Sequence, residues 1–94
     1  MDRVQAIRER LNRALSPERI DITDDSHRHI RHAGAAAGGG HFSVRIVSEK
    51  FRDRPPIERH RLVYQAVGDM MPHEIHALSI EALTADELRL ETSD

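Results

Sequence analysis

The stretch Phe42-Ser43-Val44-Arg45-Ile46 decides the fold, because apolar and polar residues alternate strictly along it. An alternation with a period of two places every second side chain on the same face of a β-strand. Aromatic and β-branched residues favour strands, so this stretch predicts a strand with one buried face. Ile20 and Ile22 alternate with polar neighbours in the same way and predict a shorter strand before it. Two half-buried strands therefore begin a sheet.

The segment between these two strands is rich in histidine and glycine. Residues 27–41 hold four of the seven histidines of the chain, and a run of three glycines ends at Gly40. Glycine loses more conformational freedom on folding than any other residue, so we expect a flexible loop over 27–40. Imidazole is the commonest metal-ligating side chain, which makes this loop the first place to look for a metal site. A solvated connector explains the same composition equally well.

Helical periodicity flanks the two strands on both sides. Apolar residues recur every three or four positions from Val4 to Leu15 and again from Ile57 to Met71. Pro55-Pro56 suits the first turn of the second helix, and a proline directly after Met71 limits it. The side chains predicted to face the core from this helix are Ile57, His60, Tyr64, Val67 and Met71, with Val63 and Met70 beside them.

The C-terminal third of the chain predicts one more strand and one more helix. Residues 77–82 alternate, with Leu78 and Ile80 on the apolar face. Thr84 and Glu87 stand at the spacing of a capping box, which begins a short helix ahead of a frayed tail over 91–94. The order is helix, strand, strand, helix, strand, helix. It predicts a single small α+β domain over 1–94, with a three-stranded sheet and its helices on one face.

Composition excludes several classes of function. The chain has 94 residues, a formal charge of −2 and no cysteine. Without cysteine it forms no disulfide, has no cysteine nucleophile and builds no thiolate metal site alone. Its mild acidity gives no general attraction to nucleic acid or anionic membranes. The sequence shows no signal segment, no membrane-spanning run and no recognisable catalytic arrangement, so we expect a cytoplasmic protein that is not an enzyme.

The other histidines differ in their predicted positions. His60 lies on the apolar stripe of the long helix, which favours a half-buried side chain over a ligand. His76 stands at the entry to the third strand and His41 at the entry to the second. The ends of neighbouring strands can bring two such residues together. Strand parity counts against this pair, because His76 shares the parity of buried residues and His41 that of polar ones.

Five motifs, taken in order, make the chain resemble the BolA family. They are Asp25-Ser26-His27-Arg28-His29, His41-Phe42, Val47-Ser48-Glu49-Lys50-Phe51, Arg59-His60-Arg61-Leu62-Val63-Tyr64 and Ile75-His76-Ala77-Leu78. The series covers nearly the whole chain, and its loop resembles the histidine type and not the cysteine type. The resemblance implies the same order of elements, related to class II KH domains. Asp53 stands where the family usually has glycine, but aspartate tolerates the left-handed conformation well, so we expect the turn to form.

The resemblance also implies a partner and a cofactor. BolA-like proteins pair with monothiol glutaredoxins and, with glutathione, share a bridging [2Fe–2S] cluster. The family's C-terminal cluster ligand maps onto His76. The second ligand maps onto His29 when counted forward from the first motif, onto His32 when counted backward from the second strand, or onto His41 itself. We expect the isolated chain to be a monomer without a cofactor.

The chemistry of the residues agrees with this implication. Imidazoles replace two thiolates on one iron of a Rieske [2Fe–2S] cluster. A chain without cysteine can supply imidazoles, but it needs the thiolates of a partner. We therefore expect a role in iron–sulfur trafficking or iron regulation, with His76 as the anchor and with His29, His32 or His41 closing on the cluster from the loop.

Two other functions stay open. Some BolA-like proteins are described as transcriptional regulators, and KH domains bind RNA, so a KH-like nucleic-acid-binding regulator is the alternative. The chain lacks a GXXG motif between helices and a basic face, so we expect only weak, non-specific DNA binding, involving Arg59 or Arg61. The third option is a Zn²⁺ or Cu²⁺ site made by His27, His29 and His32, at an entropic cost in a flexible loop.

Overall fold

The structure is a computed structural model that describes residues 2–26 and 40–92. Within these residues, six α-helices and strands follow one another: helix α1 (Arg3–Leu15), strand β1 (Arg19–Asp24), strand β2 (Gly40–Val47), helix α2 (Pro56–Ala66), strand β3 (Ile75–Leu83) and helix α3 (Ala85–Thr92). This order confirms the α+β prediction. Within the described residues, no helix combines the length and apolar character that crossing a bilayer requires.

The three strands form one mixed sheet in the order β1-β2-β3. Strand β1 is antiparallel to β2, and β2 is parallel to β3. Val44 shows how the register aligns the apolar residues, because it pairs with Ile22 on one side and with Ile80 on the other. The apolar alternations of all three strands therefore meet on one face of the sheet.

Helices α1 and α2 cover this apolar face, with α1 against β1 and α2 against β3. Fully burying one aliphatic side chain contributes about 1.5–3 kcal/mol, so this layer supplies most of the driving force for folding. Val4 and Ile80 lie at its margin, partly buried. The other predicted core residues are buried, namely Ile7, Leu11, Phe42, Val44, Ile46, Val63, Val67 and Leu78.

Helix α2 is shorter than the sequence predicts. The sequence favours one helix up to Met71, but the α-helix ends at Ala66 and a 3₁₀ turn follows over Gly68–Met70. Glycine is about 1 kcal/mol less favourable than alanine inside a helix, and 3₁₀ turns are frequent at helix ends. The length prediction is wrong at this end because Gly68 favours the change of geometry.

The buried face of α2 also differs from the predicted stripe. Val63 and Val67 are fully buried, whereas Ile57 and Tyr64 are 62% and 38% exposed. His60 is half-buried, as predicted. The prediction is wrong at Ile57 and Tyr64, because the helix is rotated so that the two valines, and not their neighbours, point at the sheet.

Two local features of the chain behave as the sequence predicts. Asp53 has a φ of 62°, so this turn takes the left-handed conformation with aspartate in place of glycine. The capping box before α3 is formed: the Thr84 N–H donates to Glu87 Oε1 at 2.8 Å, and the Glu87 N–H donates to Thr84 Oγ1 at 3.3 Å. Helix α3 extends to Thr92. The predicted flexible loop covers residues 27–40. Its last residue, Gly40, is buried and begins β2. Residues 27–39 of the loop and residues 93–94 of the predicted tail lie outside the described residues.

Candidate metal-binding site at the strand ends

Two histidines meet where β2 and β3 begin. His41 is the second residue of β2, and His76 is the second residue of β3. Because these neighbouring strands are parallel, their first residues lie at the same end of the sheet. The ring centroids of His41 and His76 are 5.3 Å apart, with an angle of 48° between the ring planes. His41 is half-buried and His76 is exposed, so the pair is open to a ligand.

An irregularity in β3 brings both side chains to the same region. Ile75 pairs with the residue before His41, but His41 itself pairs with Ala77, which leaves His76 as an extra residue. A β-bulge of this kind puts two residues opposite one and shifts the alternation of the strand. Ile75 and Leu78 are both buried, with His76 exposed between them. The parity argument against the pair is wrong because it assumes an unbroken alternation.

Hydrogen bonds hold the backbone of His41 on the side of β1. The His41 N–H donates to Ser26 Oγ at 3.1 Å, and the His41 carbonyl accepts from the Asp25 N–H at 2.8 Å. Ser26 is itself fixed, since its N–H donates to Asp24 Oδ1 at 2.9 Å. His41 is therefore a strand residue like His76, whereas the sequence groups it with the loop histidines that close on the site.

Gly40 supports the same corner of the sheet. A Cβ atom added at Gly40 would lie 2.6 Å from Phe42 Cε2 and 3.0 Å from Ser26 Oγ, so only glycine fits without displacement. The Gly40 N–H donates to the Glu74 carbonyl at 3.2 Å, which ties the start of β2 to the segment that enters β3. This steric and hydrogen-bonding role of Gly40 is not predicted from the sequence. The signal in the sequence that could indicate it is Phe42, because this large side chain lies two residues later and therefore on the same strand face as Gly40.

The two imidazoles lie close enough together to be candidate ligands of one metal ion. Bonds between a metal and imidazole nitrogen are about 2 Å long. Two rings with centroids 5.3 Å apart are therefore close enough for one nitrogen of each to bind a common ion. Within residues 2–26 and 40–92, no group of three His, Cys, Asp or Glu side chains is arranged to hold a metal ion. Additional ligands are needed. The predicted ligands His29 and His32, and His27 with them, lie outside the described residues.

Arg59, which the sequence-based hypothesis takes as a nucleic-acid contact, instead donates hydrogen bonds to other residues of the fold. It donates to Glu87 Oε1 at 2.7 Å, to Glu87 Oε2 at 3.0 Å and to the Ala82 carbonyl at 3.0 Å. Only 13% of its side chain is exposed. The Arg59 guanidinium, together with the Thr84 N–H, lowers the pKa of Glu87 to about 2. Arg59 thus stabilises the fold, and Arg61 is the exposed arginine of the two.

Known proteins share this arrangement of elements. A family model described as BolA-like protein matches residues 11–87. The chain belongs to the BolA family. BolA-like protein 1 of Mus musculus is 39% identical over 84 residues, which cover 89% of this chain and 59% of the mouse protein. The DNA-binding transcriptional regulator BolA of Vibrio cholerae serotype O1 is 36% identical over 81 residues, which cover 86% of this chain and 74% of that protein.

A solved BolA structure agrees with the fold over almost its full length. The BolA domain of SufE1 from Arabidopsis thaliana superimposes with a TM-score of 0.80 at 37% identity, covering 93% of this chain and 96% of that domain. The BolA fold predicted from the five motifs is therefore confirmed. Curated plant relatives are chloroplastic or mitochondrial by name, so the cytoplasmic location of this chain stays a prediction. So does the expected lack of enzymatic activity.

Proposed function

We propose that this BolA-family chain supplies His41 and His76 as ligands to a [2Fe–2S] cluster that it shares with a monothiol glutaredoxin and glutathione. The observation that carries the proposal is the pair of imidazoles, whose ring centroids lie 5.3 Å apart at neighbouring strand ends. Two imidazoles on one iron and two thiolates on the other are the ligand set of Rieske clusters. Because the chain has no cysteine, the thiolates come from the partner and from glutathione.

The fold prepares the two ligands before they bind. Both lie on strands, and a ligand on an ordered strand loses less conformational entropy than one on a loop. The bulge in β3 exposes His76, and the hydrogen bonds from Asp25 and to Ser26 fix the backbone of His41. In this proposal the iron and sulfide of the cluster are cargo to be passed on, and not a resident cofactor of this chain. We therefore propose iron–sulfur trafficking or iron regulation as the role, with the isolated chain as a monomer without a cofactor.

Anaerobic reconstitution tests this proposal. The chain is mixed with a monothiol glutaredoxin, glutathione, iron and sulfide, and the complex is followed by optical and EPR spectra. Both His41→Ala and His76→Ala should change the histidine-dependent spectrum, because each loses one of the two imidazole ligands, while their circular dichroism stays that of the parent. The control is His60→Ala, because His60 lies on α2 and should leave the spectrum unchanged. A parent-like spectrum in either His41→Ala or His76→Ala contradicts the proposal.

Nucleic-acid binding is the second candidate, and the Vibrio cholerae relative favours it by its name as a DNA-binding transcriptional regulator. In this chain Arg59 is committed to Glu87, so Arg61 is the better probe. We expect weak binding that falls steeply as salt rises and that weakens further in Arg61→Ala. A nanomolar, sequence-selective complex at physiological salt, measured by fluorescence anisotropy, would reverse the order of the two candidates.

A further inference from the structure

We propose that Asp25 is a positioning residue for His41, and that its carboxylate orients the His41 imidazole for metal binding. This inference rests on the proposed function, because it takes His41 as a ligand. It assigns a task to a carboxylate that stands one residue beyond the end of β1.

The strand register places Asp25 opposite His41. Asp24 pairs with Phe42 in the antiparallel ladder. The Asp25 N–H then donates to the His41 carbonyl at 2.8 Å, so the pairing continues for one more residue. Residues directly opposite one another in antiparallel strands have Cβ atoms about 4.5–5.5 Å apart on the same face. The carboxylate of Asp25 therefore starts beside the imidazole of His41.

Ser43 holds the Asp25 carboxylate on that face. Ser43 Oγ donates a short hydrogen bond to Asp25 Oδ2. Ser43 follows His41 by two residues, so the two side chains lie on the same face of β2. Asp25 is half-buried. Asp25, His41 and His76 therefore follow one another across three neighbouring strands, with the carboxylate on the far side of His41 from His76.

This order fits a supporting role better than a role as a third ligand. Among the described residues, no three His, Cys, Asp or Glu side chains are arranged to hold a metal ion, so Asp25 does not complete the site. A metal-ligating histidine usually donates its other ring N–H to a carboxylate or carbonyl, which fixes the tautomer and the ring orientation. Asp25 is placed to accept that hydrogen bond from His41.

The first test uses the isolated chain without metal, so it does not depend on the cluster. Long-range ¹H–¹⁵N NMR spectra at about pH 8, where imidazoles are neutral, report the tautomer of His41. The parent should show one dominant tautomer, and Asp25→Asn should shift the ring toward a mixture. The matched control is Asp21→Asn, because Asp21 lies on the same face of β1 but forms a salt bridge with Arg19. An unchanged tautomer in Asp25→Asn overturns the inference.

The second test measures the release of the cluster from the reconstituted heterocomplex. Removing a partner of a metal-ligating histidine typically costs 10–100-fold in affinity, so Asp25→Asn should lose its cluster about tenfold faster or more. Asp25→Glu should restore most of the stability because it keeps a carboxylate, and Asp21→Asn should match the parent. Equal loss in Asp25→Glu and Asp25→Asn indicates a purely structural role and contradicts the inference. If the parent never forms a histidine-dependent cluster, the proposed function fails, and the tautomer test still decides whether Asp25 orients His41.

Discussion

The two ends of the β2–β3 pair are built in different ways. Where the strands begin, backbone hydrogen bonds and a bulge place His41 and His76 with their imidazoles 5.3 Å apart. Where the strands end, charged side chains bind one another, as Arg59 does by donating two hydrogen bonds to Glu87. We propose that the first end binds a ligand from outside, whereas the second end stabilises the fold.

The difference lies in where the polar groups find their partners. Arg59 is 13% exposed and also donates to the backbone carbonyl of Ala82, so its guanidinium joins α2, β3 and α3. His76 is exposed, and its neighbour across the strands is another imidazole. Substitutions at the Arg59 end should therefore change the stability of the fold, and substitutions of the histidines should change binding. The Arg59→Ala prediction below tests this separation directly.

The largest effect on stability is expected from Gly40→Ala, at the histidine end. The new Cβ would overlap the Phe42 ring, and overpacking of this kind typically costs about 1–3 kcal/mol. The free energy of unfolding, measured in urea, should fall by that amount. Gly68→Ala is the matched control, because nothing lies within 4 Å of a Cβ at that position. Equal stability of the two variants would show that the sheet tolerates a side chain at position 40.

Arg59→Ala should have the next largest effect, at the opposite end. It removes charge-assisted hydrogen bonds to a partly exposed carboxylate, which we expect to lower the free energy of unfolding by about 1–2 kcal/mol. Arg61→Ala is the control, and an exposed position of this kind changes stability by less than about 0.5 kcal/mol. Cluster reconstitution should survive in both variants. Loss of the cluster in Arg59→Ala at a temperature where the fold is intact would break the separation between the two ends.

The stabilising contribution of Glu87 should depend on pH. Its pKa is lowered to about 2 in the fold, first by the hydrogen bond from Arg59, and glutamate in an unfolded chain has a pKa of about 4.3. The unfolded chain therefore takes up this proton first as the pH falls. The contribution is complete above about pH 5 and is lost on the way down to about pH 2.

The difference in unfolding free energy between the parent and Glu87→Gln should accordingly shrink as the pH falls from about 5 to about 2. Urea titrations at a series of pH values measure this difference. In an Arg59→Ala background the same comparison should depend less on pH, because the main cause of the lowered pKa is gone and only the hydrogen bonds to Thr84 remain. A constant difference in the parent background contradicts the assignment of Glu87.

The smallest effect is expected at the Asp53 turn, which lies outside both ends of the strand pair. Glycine adopts a positive φ at no steric cost, but it also adds freedom to the unfolded chain. With φ at 62°, Asp53→Gly should raise the free energy of unfolding by only about 0.5 kcal/mol. Asp53→Val should lower it, because a β-branched residue is strained at this φ. Thermal unfolding of the two variants checks the sign of each change.

The strands were predictable from the sequence, and their exact alignment was not. Alternation around Val44 and Ile80 indicates the buried face, because hydrophobic burial acts along each strand separately. The bulge at His76 depends on how β3 pairs with β2, and one extra residue leaves no signature in the alternation of a short strand. The sequence also predicts Ile57 and Tyr64 on the buried face of α2, although both are exposed, because the rotation of the helix is set by its packing against the sheet.

The candidate site was predictable in part. His41 and His76 follow from their positions at the starts of two strands, together with the BolA motifs. Gly40 and Asp25 do not, because their contacts join residues that are distant in sequence, such as Ser43 with Asp25. These contacts arise only once β1 and β2 pair in a particular register.

The most direct test of the central claim counts the nitrogen ligands that this chain gives to the shared cluster. The chain is labelled with ¹⁵N-histidine, reconstituted with unlabelled monothiol glutaredoxin and glutathione, reduced and studied by pulsed EPR. The parent should show ¹⁵N couplings from two directly bound imidazoles, and His41→Ala and His76→Ala should each lose one of them. Two unchanged couplings in either variant, or none in the parent, would contradict the assignment of His41 and His76 as the ligand pair.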